Sequence, residues 1–283
     1  MGPTVTEMES RSIFGSGVER ETYFALRKKW AKEVDVFPLL PVKVVVGFDR
    51  VQAIQDELEK DFLLKTEFDY VVCWKNRGIP VLVLEFDGIG GGFSRGVRYE
   101  TRVVPINDPN RRRKLEAKLR ICAEAKIPAV VVAIQEGRPI DAATHLTILD
   151  AIIGEALADG IFRNALKHQQ FSSLDEVEDL EIGLSIRKNP IKRGISKLLS
   201  ALIAAGLGTG VPRSQRPIND RENEDMIGCY TSVSVDGQEF SATVYVRDVN
   251  CQGFAAYGLA EDLSWLTALR DAAQASNLTL HDE

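Results

Sequence analysis

Glu85 and Asp87 stand two residues apart at the end of an apolar run, Val81-Leu82-Val83-Leu84-Glu85-Phe86-Asp87-Gly88. In an extended strand such a pair points to one face, roughly 7 Å apart along the chain. Phe86 then points to the other face, with Leu84 and Leu82. A run this apolar reads as a strand buried on both faces, where unpaired charge is costly. The usual compensation is a divalent cation held by oxygen ligands. Asp69, in the next apolar segment towards the N-terminus, is a candidate third carboxylate. Lys118 is a candidate amine, because it is the charged residue in the stripe Leu115, Lys118, Leu119 and Cys122, which falls in one arc of a helical period and so should face the sheet. Carboxylates holding one or two metal ions beside an amine that orients or activates water make a hydrolytic centre.

The elements that must position these groups can be read in outline. A helix is expected near Glu19 to Lys32, with Tyr23, Phe24, Leu26 and Trp30 among its apolar residues. Val42 to Val46 is β-branched and reads as a strand, and some helical structure is expected around Val51 to Asp61. Phe68 to Trp74 and Ile79 to Asp87 read as strands joined in a hairpin through Arg77-Gly78. Pro109 opens a helix to about Lys126, with Asp108 as its N-cap, and Pro128 opens a last strand, Ala129 to Ile134. A strand arriving after a helical crossover adds parallel to a neighbour, so the expected class is α/β, a mixed sheet with helices on its faces.

Beyond Gly137, helices are expected at Ala142 to Leu157, Phe162 to His168 and Ile195 to Ala205. An acidic stretch, Ser173 to Glu181, and a basic one, Arg187 to Lys197, lie between them. Thr209 to Asp225 reads as a linker. Three strand-like pieces follow, Cys229 to Val235, Glu239 to Val246 and Gly253 to Leu259, with Asp236-Gly237 as a hairpin turn between the first two. A helix from about Asp262 to Gln274 closes the chain. The expected division is a core at 1–137, a helical segment at 138–208, a linker at 209–225 and a small α+β domain at 226–283. The element order of that last part is like a double-stranded-RNA-binding domain. However, Ala260-Glu261-Asp262-Leu263-Ser264 at its final helix would repel phosphates, so interaction or dimerisation is expected of it.

The pattern of strands, acids and lysine resembles the PD-(D/E)xK nuclease superfamily, and most closely a bacterial branch in which the third strand ends Glu-x-Asp-Gly and a helical lysine precedes a Gly-Ile-Pro-like entry to the last strand. The residues that carry the likeness are Glu85-Phe86-Asp87-Gly88, Lys118, Ile127-Pro128 and Phe68-Asp69-Tyr70-Val71-Val72. They span residues of roughly 18 to 135. The resemblance implies a restriction-endonuclease-like αβββαβ core and a metal-dependent endonuclease or exonuclease, DNA favoured over RNA, leaving 5′-phosphates. It implies that Asp69, Glu85 and Asp87 ligate Mg²⁺ or Mn²⁺. The superfamily's usual lysine position is Asp87 here, so Lys118 takes that role from the helix. Two departures stand out: Gly91 where the branch often has His, and Leu115 where it often has Asp. They support an alternative, a catalytically silent nuclease-fold module that binds nucleic acid or a protein partner.

Glu85 and Asp87 also fit a bland description as solubilising acids at a strand end, and Lys118 as a lysine snorkelling from a helix edge. Glu19 and Glu21 are first-helix acids that either add a ligand or face solvent. Arg111, Arg112, Arg113 and Lys114 oppose the macrodipole at their helix start; together with Arg95 and Arg98 they are candidate phosphate contacts or ordinary solvated residues. The composition of the 283 residues, 45% hydrophobic and 27% charged, is that of a soluble globular protein. A net charge of −6 argues against coating nucleic acid by bulk electrostatics but leaves room for a local basic groove. No apolar run reaches the roughly 20 residues of a membrane span, Met1 to Gly17 lacks a secretory pattern, and Cys73, Cys122, Cys229 and Cys251 show no CxxC spacing. A cytoplasmic protein without a membrane partner is expected, with a homo-oligomer or protein partner through the C-terminal part.

Overall fold

A computed structural model describes residues 14, 17–87, 92–94, 98–100, 109–133, 142–207, 211, 213–219, 226–247, 251–253 and 255–278. Helix α1 (Gly17–Lys29) leads into strand β1 (Val34–Pro41). Three short helices, α2 (Val42–Val46), α3 (Phe48–Gln52) and α4 (Glu57–Lys65), precede β2 (Glu67–Trp74) and β3 (Pro80–Asp87). A small hairpin, β4 (Gly92–Ser94) and β5 (Arg98–Glu100), comes before α5 (Pro109–Ala125) and β6 (Ala129–Ala133). Then follow α6 (Ala142–His168), α7 (Leu174–Lys188), α8 (Pro190–Ala204), β7 (Arg213–Asn219), β8 (Met226–Val235), β9 (Gln238–Arg247), β10 (Cys251–Gln252) and α9 (Ala256–Ala275). The chain is a mixed α/β protein.

The larger sheet has the order β1-β2-β3-β6-β10. Strands β1, β2 and β3 run antiparallel in sequence, β6 lies parallel to β3, and the two-residue β10 closes antiparallel on β6. Strand alternation gives this sheet two apolar faces. Tyr70, Val72, Leu82 and Leu84 join α1 and α6 on one side; Val71, Cys73 and Val83 join α2 to α5 on the other. The first cluster continues through α6 into α8, β8, β9 and α9, so the C-terminal sheet β7-β8-β9 shares a buried core with the larger one. Cys73, Cys122 and Cys229 are buried free thiols within these cores.

Several expected elements are corrected. The first strand is Val34–Pro41, and Val42–Val46 is a helix. The two prolines of β1 are tolerated because it is an edge strand, with β2 as its one partner. Helical spacing puts Val42 and Val46 on one face, where they bury beside Val51 and Leu63, and that packing overrides their β preference. The two helices expected between Ala142 and His168 are one, and α8 begins at Pro190, earlier than Ile195, because Asn189 Oδ1 caps the main-chain N–H groups of Ile191 and Lys192. The expected linker at 209–225 contains β7, which pairs with β8. Gly253 to Leu259 is not a strand: β10 ends before it and α9 begins within it. The order helix, three strands, helix survives with different members, α8, β7, β8, β9 and α9. The Asp236-Gly237 turn is as expected, with φ of 50° and 76°, the pair of positive values that a two-residue hairpin turn requires.

Helix α6 runs through its two central glycines because close approach forbids a side chain there. A Cβ on Gly154 would lie 2.2 Å from the carbonyl oxygen of Lys188, and one on Gly160 would lie 2.7 Å from Cζ2 of Trp74. Gly154→Ala is therefore expected to lower stability by about 1–3 kcal/mol through overpacking. Gly183→Ala in α7, where a Cβ meets nothing within 4 Å, is expected to raise it by about 0.5–1 kcal/mol through helix propensity. Urea unfolding of both variants checks the pair.

Candidate active site

Strand β3 carries Val83 towards α5, and the two-residue period carries Glu85 to the same side. Helix α5 packs on that side through Ala117, Ile121 and Cys122, with Lys118 between them at 9% exposure. Its buried arc thus holds Lys118 as expected, although Leu115 and Leu119 are half-buried. The Lys118 ammonium donates to both oxygens of Glu85, at 2.9 and 2.8 Å, and to the main-chain carbonyl of Glu67 at 2.6 Å. It also stands 5.7 Å from the ring centroid of Phe68. An ammonium has three N–H groups, so these bonds use all of them.

Glu85 is 6% exposed. Burial pushes its carboxyl up from the ordinary 4.5 to about 8; Lys118 pulls it down and the charge of Asp69 pushes it further up. Asp69 acts in both directions, because its main-chain N–H donates to the Glu85 carboxylate. The structure therefore brings Asp69, Glu85 and Lys118 together from β2, β3 and α5. Asp87 closes β3 opposite Ala133 of β6, and its side chain lies outside the described residues. The carbonyl of Glu67 is a partner that sequence reasoning missed, since main-chain acceptors carry no residue-type signal.

The other candidates are placed differently. Arg113 is 2.7 Å from Asp56 at the cap of α4, and Lys114 lies 5.5 Å from the ring centroid of Phe62. Both therefore lean on α4, whose acids also hold Arg120 through Glu59. Arg95 and the side chains of Arg98, Arg111 and Arg112 fall outside the described residues, as does Gly91. In α1, Glu21 is exposed, while the main-chain carbonyl of Glu19 accepts from the Tyr70 hydroxyl at 2.8 Å. Burial of Tyr70 and the Glu19 charge raise the phenol's pKa.

Among the described residues no group of three His, Cys, Asp or Glu side chains is close enough to hold a metal ion, the Asp87 side chain not being one of them. The donor chemistry nevertheless fits a hard cation. Asp69 and Glu85 carry carboxylate oxygens, the donor type that a hard cation takes.

Removing one member of a buried ion pair strands the other. Lys118→Met is expected to cost about 3–5 kcal/mol in urea unfolding, and Lys118→Met/Glu85→Leu to recover most of that loss. A raised folded-state pKa means the native protein binds more protons than the unfolded chain. Wild-type stability attributable to Glu85 should therefore fall as pH rises from 4.5 to about 8, and Glu85→Gln should remove that slope from the urea profiles. No protein-family model matches the chain, and neither any curated protein nor any solved structure matches it.

Proposed function

We propose that the chain is a metal-dependent nuclease with a PD-(D/E)xK-like core. One observation carries this reading: the buried contact between Glu85 at the end of β3 and Lys118 on α5. A carboxylate and an amine from separate elements meet on one face of a mixed sheet, in which β1, β2 and β3 run antiparallel and β6 lies parallel to β3.

Asp69, Glu85 and Asp87 would hold Mg²⁺ or Mn²⁺. Bound there, the ion supplies Lewis-acid polarisation of the scissile phosphate and a lowered pKa for the attacking water. Lys118 cannot hold that water while Glu85 and Glu67 occupy all three of its N–H groups. In this reading it gives up at least one bond to Glu85, which frees an N–H to orient water or meet phosphate charge. DNA is the favoured substrate and the 5′-phosphate the expected product end.

The same saturation favours a second reading, the silent module, in which Lys118 permanently neutralises Glu85 and no metal enters. Gly91 and Leu115 are its sequence support.

Cleavage of supercoiled plasmid, single-stranded DNA and RNA with Mg²⁺ or Mn²⁺ tests the proposal. Wild type is expected to cut, and Glu85→Ala/Asp87→Ala to lose about 100-fold or more. Manganese at 100 times its Kd is expected to stabilise wild type by about 2.7 kcal/mol but not Glu85→Ala. Absence of both cutting and Mn²⁺-dependent stabilisation would move the reading to the silent module.

A further inference from the structure

Apart from the Glu85–Lys118 contact, two cavities of about 290 and 560 Å³ share Glu155, Lys192 and Asp262 as lining residues. The three come from α6, α8 and α9. Lys192 is heavily engaged: its ammonium lies 3.1 Å from Glu155 Oε1 and 2.7 Å from Ser185 Oγ. Glu155 is well satisfied, since the Ser185 hydroxyl and the Asn189 side-chain amide also donate to it. Asp262 is the poorly compensated member. Its side chain is 17% exposed, and Lys192 approaches it no closer than 3.8 Å. Burial, with Glu155 and Glu261 close by, pushes its carboxyl up to about 7 against the pull of Lys192 and Arg213.

The larger cavity, between α7, α8 and α9, joins this charge to an apolar wall. Ile182, Ile195, Leu199 and Ile203 line it, and Ile182 and Ile203 are 57% and 44% exposed. Glu181 lies exposed, so among the described lining residues three carboxylates stand against the ammonium of Lys192. Trp265 stands in the same wall with a buried indole N–H that has no acceptor among the described residues. A volume of about 560 Å³ is within the range of small-molecule sites, which combine apolar walls with a few polar groups. An anion would meet net negative charge, and a purely apolar molecule would leave Asp262 as it is. A cation on an apolar body complements both features.

We propose that this cavity binds an amphipathic amine, its alkyl or aryl body against Ile182, Leu199 and Ile203 and its ammonium on Asp262. The inference stands independently of the nuclease reading, because none of these residues belongs to the Glu85 site.

The test uses n-octylammonium as probe, with n-octanoate and n-octanol as controls, in calorimetric titration and ligand-observed NMR on the full chain. Saturable 1:1 binding of n-octylammonium is expected, tighter than n-octanol and without measurable binding of n-octanoate. Asp262→Asn should weaken the ammonium at least tenfold. Glu181→Lys, an exposed change that leaves the fold intact, should weaken it several-fold and supplies a reading even if the half-buried Asp262 variant unfolds. Equal affinity for n-octanoate or n-octanol, undiminished affinity in Glu181→Lys and folded Asp262→Asn, or no saturable binding would each overturn the proposal.

Discussion

Two opposite charges taken out of water govern the arrangement of the larger sheet. Glu85 and Lys118 are each costly to bury alone, and their close contact, with every N–H of the ammonium finding an acceptor, offsets part of that cost. The requirement reaches well beyond the pair. Strand β3 must present Glu85 to α5, which fits the register of the β2–β3 hairpin. Helix α5 must cross that face with Lys118 inward, and β2 must offer the Glu67 carbonyl. Ala117, Ile121 and Cys122, packed against Val71, Cys73 and Val83, hold the helix in that place by apolar burial.

The opposite face of the sheet follows the same logic with a different partner set. Asp150 of α6 is 3% exposed, accepts from Trp30 Nε1 at 2.7 Å and lies 2.5 Å from the Lys29 ammonium. This pins the end of α1 to α6 inside the larger apolar cluster. Further along α6, Glu155 gathers Ser185, Asn189 and Lys192 from the α7–α8 corner, and Gly154 lets that corner approach to backbone contact. Among the described residues the buried charges Glu85, Lys118 and Asp150 each meet an opposite charge where separate elements pack, while apolar surface supplies the bulk of the packing. Glu85 and Asp262 each keep a raised carboxyl despite a cation nearby, because burial disfavours the charged form. Both functional proposals place a cation beside one of these half-buried or buried carboxylates.

The β2–β3 hairpin, α5 and β6 were legible in the chain because their signals are local: alternating or continuous apolar runs, Arg77-Gly78, and Pro109 and Pro128 at element starts. The Asp236-Gly237 turn was legible for the same reason, since few residue pairs accept two positive φ values. Val42–Val46 was misread because β-branching is a weak preference that burial of one helical face outweighs. The gap left between the helices expected to end at Leu157 and start at Phe162 is helical, and Gly160 within it admits Trp74, a partner more than eighty positions away. The linker that contains β7 looked polar and proline-bearing because an edge strand needs few apolar residues.

Residue type and spacing determined that Glu85, Asp87, Asp69 and Lys118 were the groups to watch, since an isolated charge in an apolar stripe must have a reason to be there. Tertiary structure decided which of them meet. It joined Lys118 to Glu85 and to a main-chain carbonyl, drew Arg113 to Asp56 and Lys114 to Phe62, and assembled Glu155, Lys192 and Asp262 from three helices. Local sequence can report a side chain's chemistry and the face of the element it occupies. It cannot report the partner across an interface, because that is set by how separate apolar faces dock, and docking depends on the shapes of all of them at once.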